Sequence, residues 1–181
     1  MTLPNLPLLN LNSNPHLLAP PVQTALKTLP QTLILGVTEN SADLADTDKW
    51  AETYSIPLAQ AANVVVLEWR KSRSAEREFA AVLVLATDRA DINGAVKKQL
   101  GAYKVSFAPY EKATAATGME SGGMSPIGLP ADWPLLIDPS VLSAEKLYVG
   151  SGIRPSKLVV KGAIFAEVPG ARVVPIVRVA A

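Results

Sequence analysis

The side chains that most enzymes use for catalysis are scarce in this chain of 181 residues. It contains no cysteine, which excludes disulfides, thiolate catalysis and cysteine-based metal sites. Its one histidine, His16, lies in a proline-rich segment, so neither a histidine-based catalytic triad nor a multi-histidine metal site is expected. We therefore expect no metal, no cofactor, and a chemistry that depends on carboxylates, hydroxyls, amides or backbone groups.

The segment with the strongest chemical signal is the glycine-rich stretch at residues 117–128. It contains Gly118, Gly122, Gly123 and Gly128, with Pro126 between them. Glycines let a backbone approach a ligand closely and adopt positive φ, so that several N–H groups can point at one oxygen. Such a loop could stabilise an oxyanion without any ionisable side chain. The alternative is an ordinary turn between strands, which composition alone favours.

The composition indicates one folded domain over residues 1–181. Hydrophobic residues make up 49% and charged residues 18% of the chain. The net charge of +1 gives no bulk attraction for a polyanion, so any contact with nucleic acid must be local. The longest apolar run, residues 79–86, is too short to cross a membrane, and no lysine or arginine precedes Lys27 as a secretory signal requires. We expect a cytoplasmic protein without membrane contacts.

Helices and short strands are predicted in no strict alternation. Residues 1–21 contain five prolines and several leucines, which predict an irregular arm lying against the body. Helices are predicted at residues 22–29, 41–54 with Ser41 as N-cap, 91–100 and 109–116, and a helical turn at 163–167. Strands are predicted at residues 32–37, 62–69, 78–86, 135–137, 147–149, 158–160 and 172–174, with a hairpin connection at 70–77. This pattern predicts an α/β fold of the mixed α+β kind, with a mixed, largely antiparallel sheet or small barrel and helices packed outside.

Three stretches in the second half of the chain carry a resemblance to a known family. They read GGMSPIGLP from Gly122, PLLIDPSV from Pro134 and LYVGSGIRPSKLVV from Leu147. In this order they resemble the YbaK/EbsC family of aminoacyl-tRNA deacylases, the free-standing relatives of the editing domain of prolyl-tRNA synthetases. The resemblance covers about residues 61–174. It implies a YbaK-like fold and trans-editing, the hydrolysis of the ester that joins a wrong amino acid to the 3′ end of a tRNA.

The resemblance also implies that the Gly-x-x-x-Pro loop is the catalytic element. Its residues, Gly122, Gly123, Met124, Ser125 and Pro126, would hold the aminoacyl carbonyl and the terminal ribose through backbone groups. In the family, a neighbouring ribose hydroxyl or a loop-held water is thought to supply the base. The implied partner is the acceptor end of a mischarged tRNA. The family-like amino acid is a small one such as alanine, with serine, cysteine and proline as further candidates.

Seven further residues are candidates for substrate binding: Asn63, Gly118, Ile127, Asp138, Ser151, Gly152 and Arg154. The family has a lysine in the first hairpin strand where this chain has Asn63. An uncharged amide contacts a phosphate or a carbonyl more weakly than a lysine does. Asp138 could either orient the glycine loop or cap a turn.

Other charged and aromatic side chains near these motifs have less specific interpretations. Arg154, Lys157 and Lys161 could steer the acceptor end of tRNA, but basic residues near a turn are more often a solvated surface. Tyr103, Phe107 and Tyr110 are expected to pack in the core or on the surface rather than to stack on bases.

Two alternatives to a deacylase remain open. The asparagine at the lysine position and the near-neutral charge favour a binding module that kept the fold and lost catalysis, with tRNA acceptor ends or a small ligand as its partner. The same loop could also hydrolyse another small ester. The sequence favours neither a monomer nor a homodimer.

Overall fold

The computed structural model describes residues 6–178 as two β-sheets with short helices around them. The strands are β1 (Ile34–Glu39), β2 (Ala62–Arg70), β3 (Glu78–Leu85), β4 (Lys104–Phe107), β5 (Leu135–Ile137), β6 (Leu147–Gly150), β7 (Ser156–Val160) and β8 (Ala171–Val173). The α-helices are α1 (Pro20–Leu26), α2 (Thr47–Tyr54), α3 (Lys97–Leu100), α4 (Tyr110–Thr117) and α5 (Pro139–Leu142). Helical 3₁₀ turns span Pro15–Leu17, Gln31–Leu33, Leu58–Gln60 and Gly162–Glu167, and a π-helical turn spans Ile92–Val96. Within this described part, no helix has the length and apolar character needed to cross a membrane.

The larger sheet is built on the β2–β3 hairpin. Its strand order is β4–β2–β3–β5–β8, with β2 antiparallel to β3 and β4, and with β5 parallel to both β3 and β8. Successive side chains of a strand point to opposite faces of the sheet. On β3, Val82 and Val84 pack in one apolar cluster, whereas Ala81 and Leu83 pack in another. The central strand is therefore buried on both faces, which explains its nearly uninterrupted apolar sequence.

The smaller sheet is antiparallel, with β7 between β1 and β6. A β-bridge between Ala61 and Tyr148 joins it to the larger sheet at the start of β2. These two sheets and the surrounding helices confirm the predicted mixed, largely antiparallel fold with helices outside.

The N-terminal segment packs against the body, as its leucines predict. Leu17, Leu18 and Val22 belong to the main apolar core, and Leu9 exchanges two backbone hydrogen bonds with Val37, of 2.7 and 3.0 Å. Residues 1–5 of the predicted arm, including Pro4, lie outside the described residues.

Two helices and one strand differ from the predicted boundaries. The predicted N-cap at Ser41 is wrong, because α2 begins at Thr47 and Asp46 caps it by accepting a 3.0 Å hydrogen bond from the amide of Lys49. Helix α1 starts two residues earlier than predicted, since two prolines occupy its first turn, where no amide donors are needed. Strand β1 starts at Ile34 because residues 31–33 form a 3₁₀ turn.

The predicted helix at 91–100 is correctly capped but is not a continuous α-helix. The carboxylate of Asp91 accepts from the amides of Gly94 and Ala95, and Gly101 ends the helix in the left-handed conformation. Between these caps the first five residues form a π-turn. The remaining predicted strands and the helix at 109–116 are found within two residues of their predicted bounds.

Asp138 caps a helix and anchors the C-terminal segment. Its Oδ1 accepts from the amide of Ser140 at 3.1 Å and from the hydroxyl of Ser140 at 2.8 Å, and its Oδ2 accepts from the amide of Ile176 at 3.1 Å. Although burial raises the pKa of this carboxyl, the hydrogen bonds from Ser140, Ile176 and Val177 outweigh that effect and hold the pKa below its ordinary value. Asp138 is a candidate either to orient the glycine loop or to cap a turn, and its hydrogen bonds are those of a cap.

We expect Asp138→Ala to lower the free energy of unfolding by about 2–3 kcal/mol at neutral pH, because it leaves buried amides without an acceptor. A lowered folded-state pKa adds stability above the unfolded-state pKa, and this contribution is lost as the pH falls through the folded-state value. The difference between wild type and variant should therefore shrink below a pH of about 4. Urea unfolding of both proteins at about pH 7 and about pH 3 measures this, and an unchanged difference would contradict the assignment.

Candidate functional site

An open cavity of about 740 Å³ lies where the hairpin, the glycine loop and two helices meet. Its wall contains backbone and side chains from the start of α2, from β2, from the start of α4, from the glycine loop and from the smaller sheet. These residues are Ala45, Thr47, Ala62, Asn63, Val64, Val65, Val66, Phe107, Ala108, Pro109, Tyr110, Ala113, Ser121, Gly122, Met124, Gly150 and Lys157. No aspartate, glutamate or histidine is among the described residues that line it.

Three residues of the glycine loop line this wall, and their backbone N–H groups have no partner in the described part of the chain. Ser121, Gly122 and Met124 line the cavity, and their amides make no hydrogen bond within residues 6–178. The amide of Gly123, by contrast, donates to the carbonyl of Glu120 at 3.0 Å, and the amide of Ser125 donates to Sδ of Met119 at 3.3 Å. The three loop residues at the wall therefore have amide donors without a partner among the described residues, and a ligand could take them.

Two glycines allow the loop to lie where it does. Gly122 has φ +82°, and a Cβ at this position would lie 2.8 Å from the Cβ of Ala45 and 3.0 Å from Nη1 of Arg154. At Gly150, the last residue of β6, a Cβ would collide with the carbonyl oxygen of Met124. The loop backbone therefore rests directly on the strand, which a side chain at either position would prevent.

Two of the predicted substrate-binding residues, Gly152 and Arg154, bind the loop directly, and a third, Ser151, stabilises the turn next to them. The amide of Gly152 donates to the carbonyl of Gly123 at 2.7 Å, and Nη1 of Arg154 donates to the carbonyl of Ser121 at 3.3 Å. Ser151 is fully buried, with its hydroxyl 2.6 Å from that of Ser156. None of the three lines the cavity, so their geometry is that of supports for the loop.

The other predicted residues lie away from the cavity wall. Ile127 is in the main core, and the hydroxyl of the buried Ser125 accepts from its amide. Pro126 is buried beside them. Gly118 ends α4 at φ +68°, and a Cβ at this position would meet nothing within 4 Å. Asp138 caps α5 as described above. Of the predicted site residues, the structure therefore brings Asn63, Gly122 and Met124 together at the wall.

Asn63 reaches the cavity from β2. Its Oδ1 accepts a 2.7 Å hydrogen bond from the hydroxyl of Thr47, the first residue of α2. Its side-chain NH₂ makes no hydrogen bond within the described residues, and it is therefore a neutral donor available to a ligand.

Lys157 is the residue that the sequence interpretation assigned to the wrong environment. It lies on β7, is 8% exposed and lines the cavity, whereas its place near a turn predicts a solvated side chain. Burial lowers the pKa of its ammonium group, while the charge of Asp46 raises it. Lys161 does lie near the surface, 3.6 Å from Glu145. The available signal is the position of Lys157 directly before the three apolar residues of the strand predicted at 158–160.

Two exposed aromatic residues stand at the cavity. Phe107 is 66% exposed and Tyr110 is 77% exposed, and both line it. Core packing is therefore excluded for both. Tyr103, 48% exposed, is not among the lining residues and has the guanidinium of Arg70 at 5.6 Å from its ring.

No group of three or more histidine, aspartate or glutamate side chains in the described part of the chain is arranged to hold a metal ion. The polar groups available at the cavity are amides, hydroxyls and one ammonium group.

Several solved structures have the same fold as this chain. A proposed trans-editing enzyme for prolyl tRNA synthetase is 21% identical and aligns with a TM-score of 0.72 over 88% of this chain and 96% of that one. A scaffold from an epitope-grafting design study is 22% identical, with a TM-score of 0.73 over 89% and 97%. Hypothetical protein APE2540 is 21% identical, with a TM-score of 0.67 over 78% and 90%.

Sequence comparison gives the family directly. None of the curated protein sequences matches this chain significantly. The family model of the aminoacyl-tRNA editing domain matches residues 41–167, which is more than half of the chain and includes the hairpin, the glycine loop and Lys157. This match confirms the family predicted from the sequence motifs: the chain belongs to the aminoacyl-tRNA editing domain family.

Proposed function

We propose that this protein is a trans-editing aminoacyl-tRNA deacylase, which hydrolyses the ester between a wrong amino acid and the 3′ end of a tRNA. Membership of the editing-domain family supports the reaction class. The observation that carries the proposal is the coincidence of the free amides of Ser121, Gly122 and Met124 with the wall of the cavity. An ester carbonyl placed against these donors would be polarised, and its oxygen would be stabilised as negative charge develops.

The proposed reaction needs no side-chain base. The described cavity lining holds no carboxylate or imidazole, so the attacking water is activated by the substrate's own neighbouring ribose hydroxyl, which takes up the water proton and passes it to the leaving ribose oxygen. The water oxygen adds to the ester carbon, and the carbonyl oxygen becomes the oxyanion facing the loop. Collapse breaks the bond to the ribose oxygen, which takes up a proton, and releases the free amino acid and the tRNA 3′ end.

The cavity wall favours a small and partly apolar amino acid. Val64, Val65, Val66 and Ala113 supply apolar surface next to the loop. A hydrophobic wall discriminates between side chains that differ by one methylene by only about 1–3 kcal/mol. Alanine is the first substrate to test, followed by serine, cysteine and proline. The same cavity must also accommodate the terminal nucleotide, for which 740 Å³ leaves room.

Phe107 and Tyr110 suit the unpaired 3′ end of a tRNA. Aromatic side chains that remain exposed at a cavity offer flat surfaces for nucleobases, and stacking tolerates any base. This contact is local, as the net charge of +1 requires.

Gly122→Ala should lower kcat for deacylation by about 100-fold or more, because the added methyl group displaces the loop that carries the free amides. Strain at positive φ should also cost about 1–3 kcal/mol of stability. The matched control is Gly101→Ala, which imposes similar strain at φ +61° with nothing within 4 Å. Release of amino acid from a panel of mischarged tRNAs measures both variants. Full activity of Gly122→Ala would contradict the loop mechanism, and tRNA binding without turnover by wild type would favour a binding module.

Phe107→Ala with Tyr110→Ala should raise KM for mischarged tRNA by about tenfold or more, since stacking contributes about 1–3 kcal/mol per base. The unfolding temperature should change little because both side chains are exposed. Tyr103→Ala is the matched control, as an exposed aromatic residue that does not line the cavity. Equal KM values for the double variant and the control would rule out a stacking role.

A further inference from the structure

The side chain of Lys157 is mostly buried, and its ammonium group has no acceptor among the described residues. It lies on the central strand of the smaller sheet, paired with Thr38 on one side and Gly150 on the other, and it is 8% exposed. Its ammonium group makes no hydrogen bond and no ion pair of 4 Å or less with any described residue. A buried charge is costly unless it is paired. A bound ligand could supply the acceptor that this ammonium group lacks.

The neighbouring groups compensate the charge only in part. The ring of Trp50 lies 5.5 Å from Nζ, a distance at which a cation–π contact is favourable. The charge of Asp46 also acts on Lys157, but its carboxylate already accepts a hydrogen bond as the cap of α2. The cavity wall adds no carboxylate among the described residues. The site therefore keeps a positive charge on the side that faces the cavity.

The position of Lys157 beside the loop gives this charge a chemical use. Gly150, its register partner on β6, is the residue on which the carbonyl oxygens of Gly123 and Met124 rest. Lys157 thus lines the same cavity as the free loop amides. Asn63, which lines the cavity from β2, offers only a neutral amide.

We propose that Lys157 supplies the positive charge of this site, with its ammonium group donating hydrogen bonds to a negatively charged oxygen of the bound substrate. This inference rests on the proposed function. Two oxygens of an aminoacyl-tRNA end have this chemistry: the ester carbonyl oxygen as it becomes an oxyanion, and the phosphate of the terminal nucleotides. In this chain β7 thereby provides the charge that the hairpin strand lacks at Asn63.

The test compares Lys157→Met with Lys161→Met, a nearby lysine that does not line the cavity. If Lys157 binds the oxyanion, kcat for deacylation should fall by about 100-fold with little change in KM. If it binds a phosphate, KM and the Kd for uncharged tRNA should both rise by about tenfold. Values equal to those of Lys161→Met in all three constants would overturn the proposal.

Thermal unfolding separates this role from a structural one. Removing an unpaired buried charge should leave the unfolding temperature unchanged or raise it, so activity and stability should move independently. If Lys157→Met loses both activity and stability, Lys157→Ala is assayed with added propylammonium, which replaces the missing part of the lysine side chain. A separate assay adds propanol, an uncharged molecule of similar size. Recovery of activity with the amine alone supports the proposal, and recovery with neither or with both overturns it.

A further measurement distinguishes a failure of this inference from a failure of the proposed function. If wild type hydrolyses no mischarged tRNA, its unfolding temperature is measured with and without inorganic phosphate. A ligand that binds only the folded state raises the unfolding temperature. A rise in wild type and in Lys161→Met that is absent in Lys157→Met supports an anion site without deacylation. Equal responses of all three proteins overturn the site.

Discussion

The close contact between the glycine loop and β6 is the constraint on which the cavity depends. Because Gly150 has no side chain, the carbonyl oxygens of Gly123 and Met124 can rest on the strand itself. The carbonyl of Gly123 also accepts a hydrogen bond from the amide of Gly152, in the turn after β6. With its carbonyls directed to β6 and the following turn, the loop keeps the amides of Ser121, Gly122 and Met124 free at the cavity. Backbone packing, rather than any reactive side chain, prepares this site.

The N-terminal segment supports the same contact, although it precedes the residues matched by the family model. The hydroxyl of Ser156 donates to the carbonyl of Leu17 at 2.7 Å, and the amide of Ala19 donates to the carbonyl of Ser151 at 3.0 Å. Gly152 is in turn packed closely on Ala19. These hydrogen bonds give the buried polar groups of the turn after β6 their partners. They therefore stabilise the turn that holds the loop. The segment is therefore part of the structure that positions the cavity.

Features with local signals could be predicted from the sequence, and features that depend on distant contacts could not. The β2–β3 hairpin, α4 and the glycine loop each have a local pattern of apolar, proline or glycine residues. The cap of α2 was misplaced because Ser41 and Asp46 are equally plausible caps until the packing is known. The environment of Lys157 depends on its central place between β1 and β6, more than a hundred residues apart in the chain. Alternation along a strand does not show whether a lysine faces solvent or a cavity.

The distribution of charge explains how a nearly neutral protein could act on a polyanion. With a net charge of +1, long-range attraction for nucleic acid is weak, so selectivity must come from groups at the cavity itself. In the proposed reaction, the loop amides and the ammonium group of Lys157 would act in a partly desolvated environment, where each interaction is stronger than in water. The absence of carboxylates from the described lining keeps these donors from being neutralised by the protein. Such a site would stabilise negative charge that develops on the substrate inside the cavity more than charge on parts of the tRNA outside it. An interaction that becomes stronger in the transition state raises the rate, whereas one that is equally strong with the bound substrate only tightens binding.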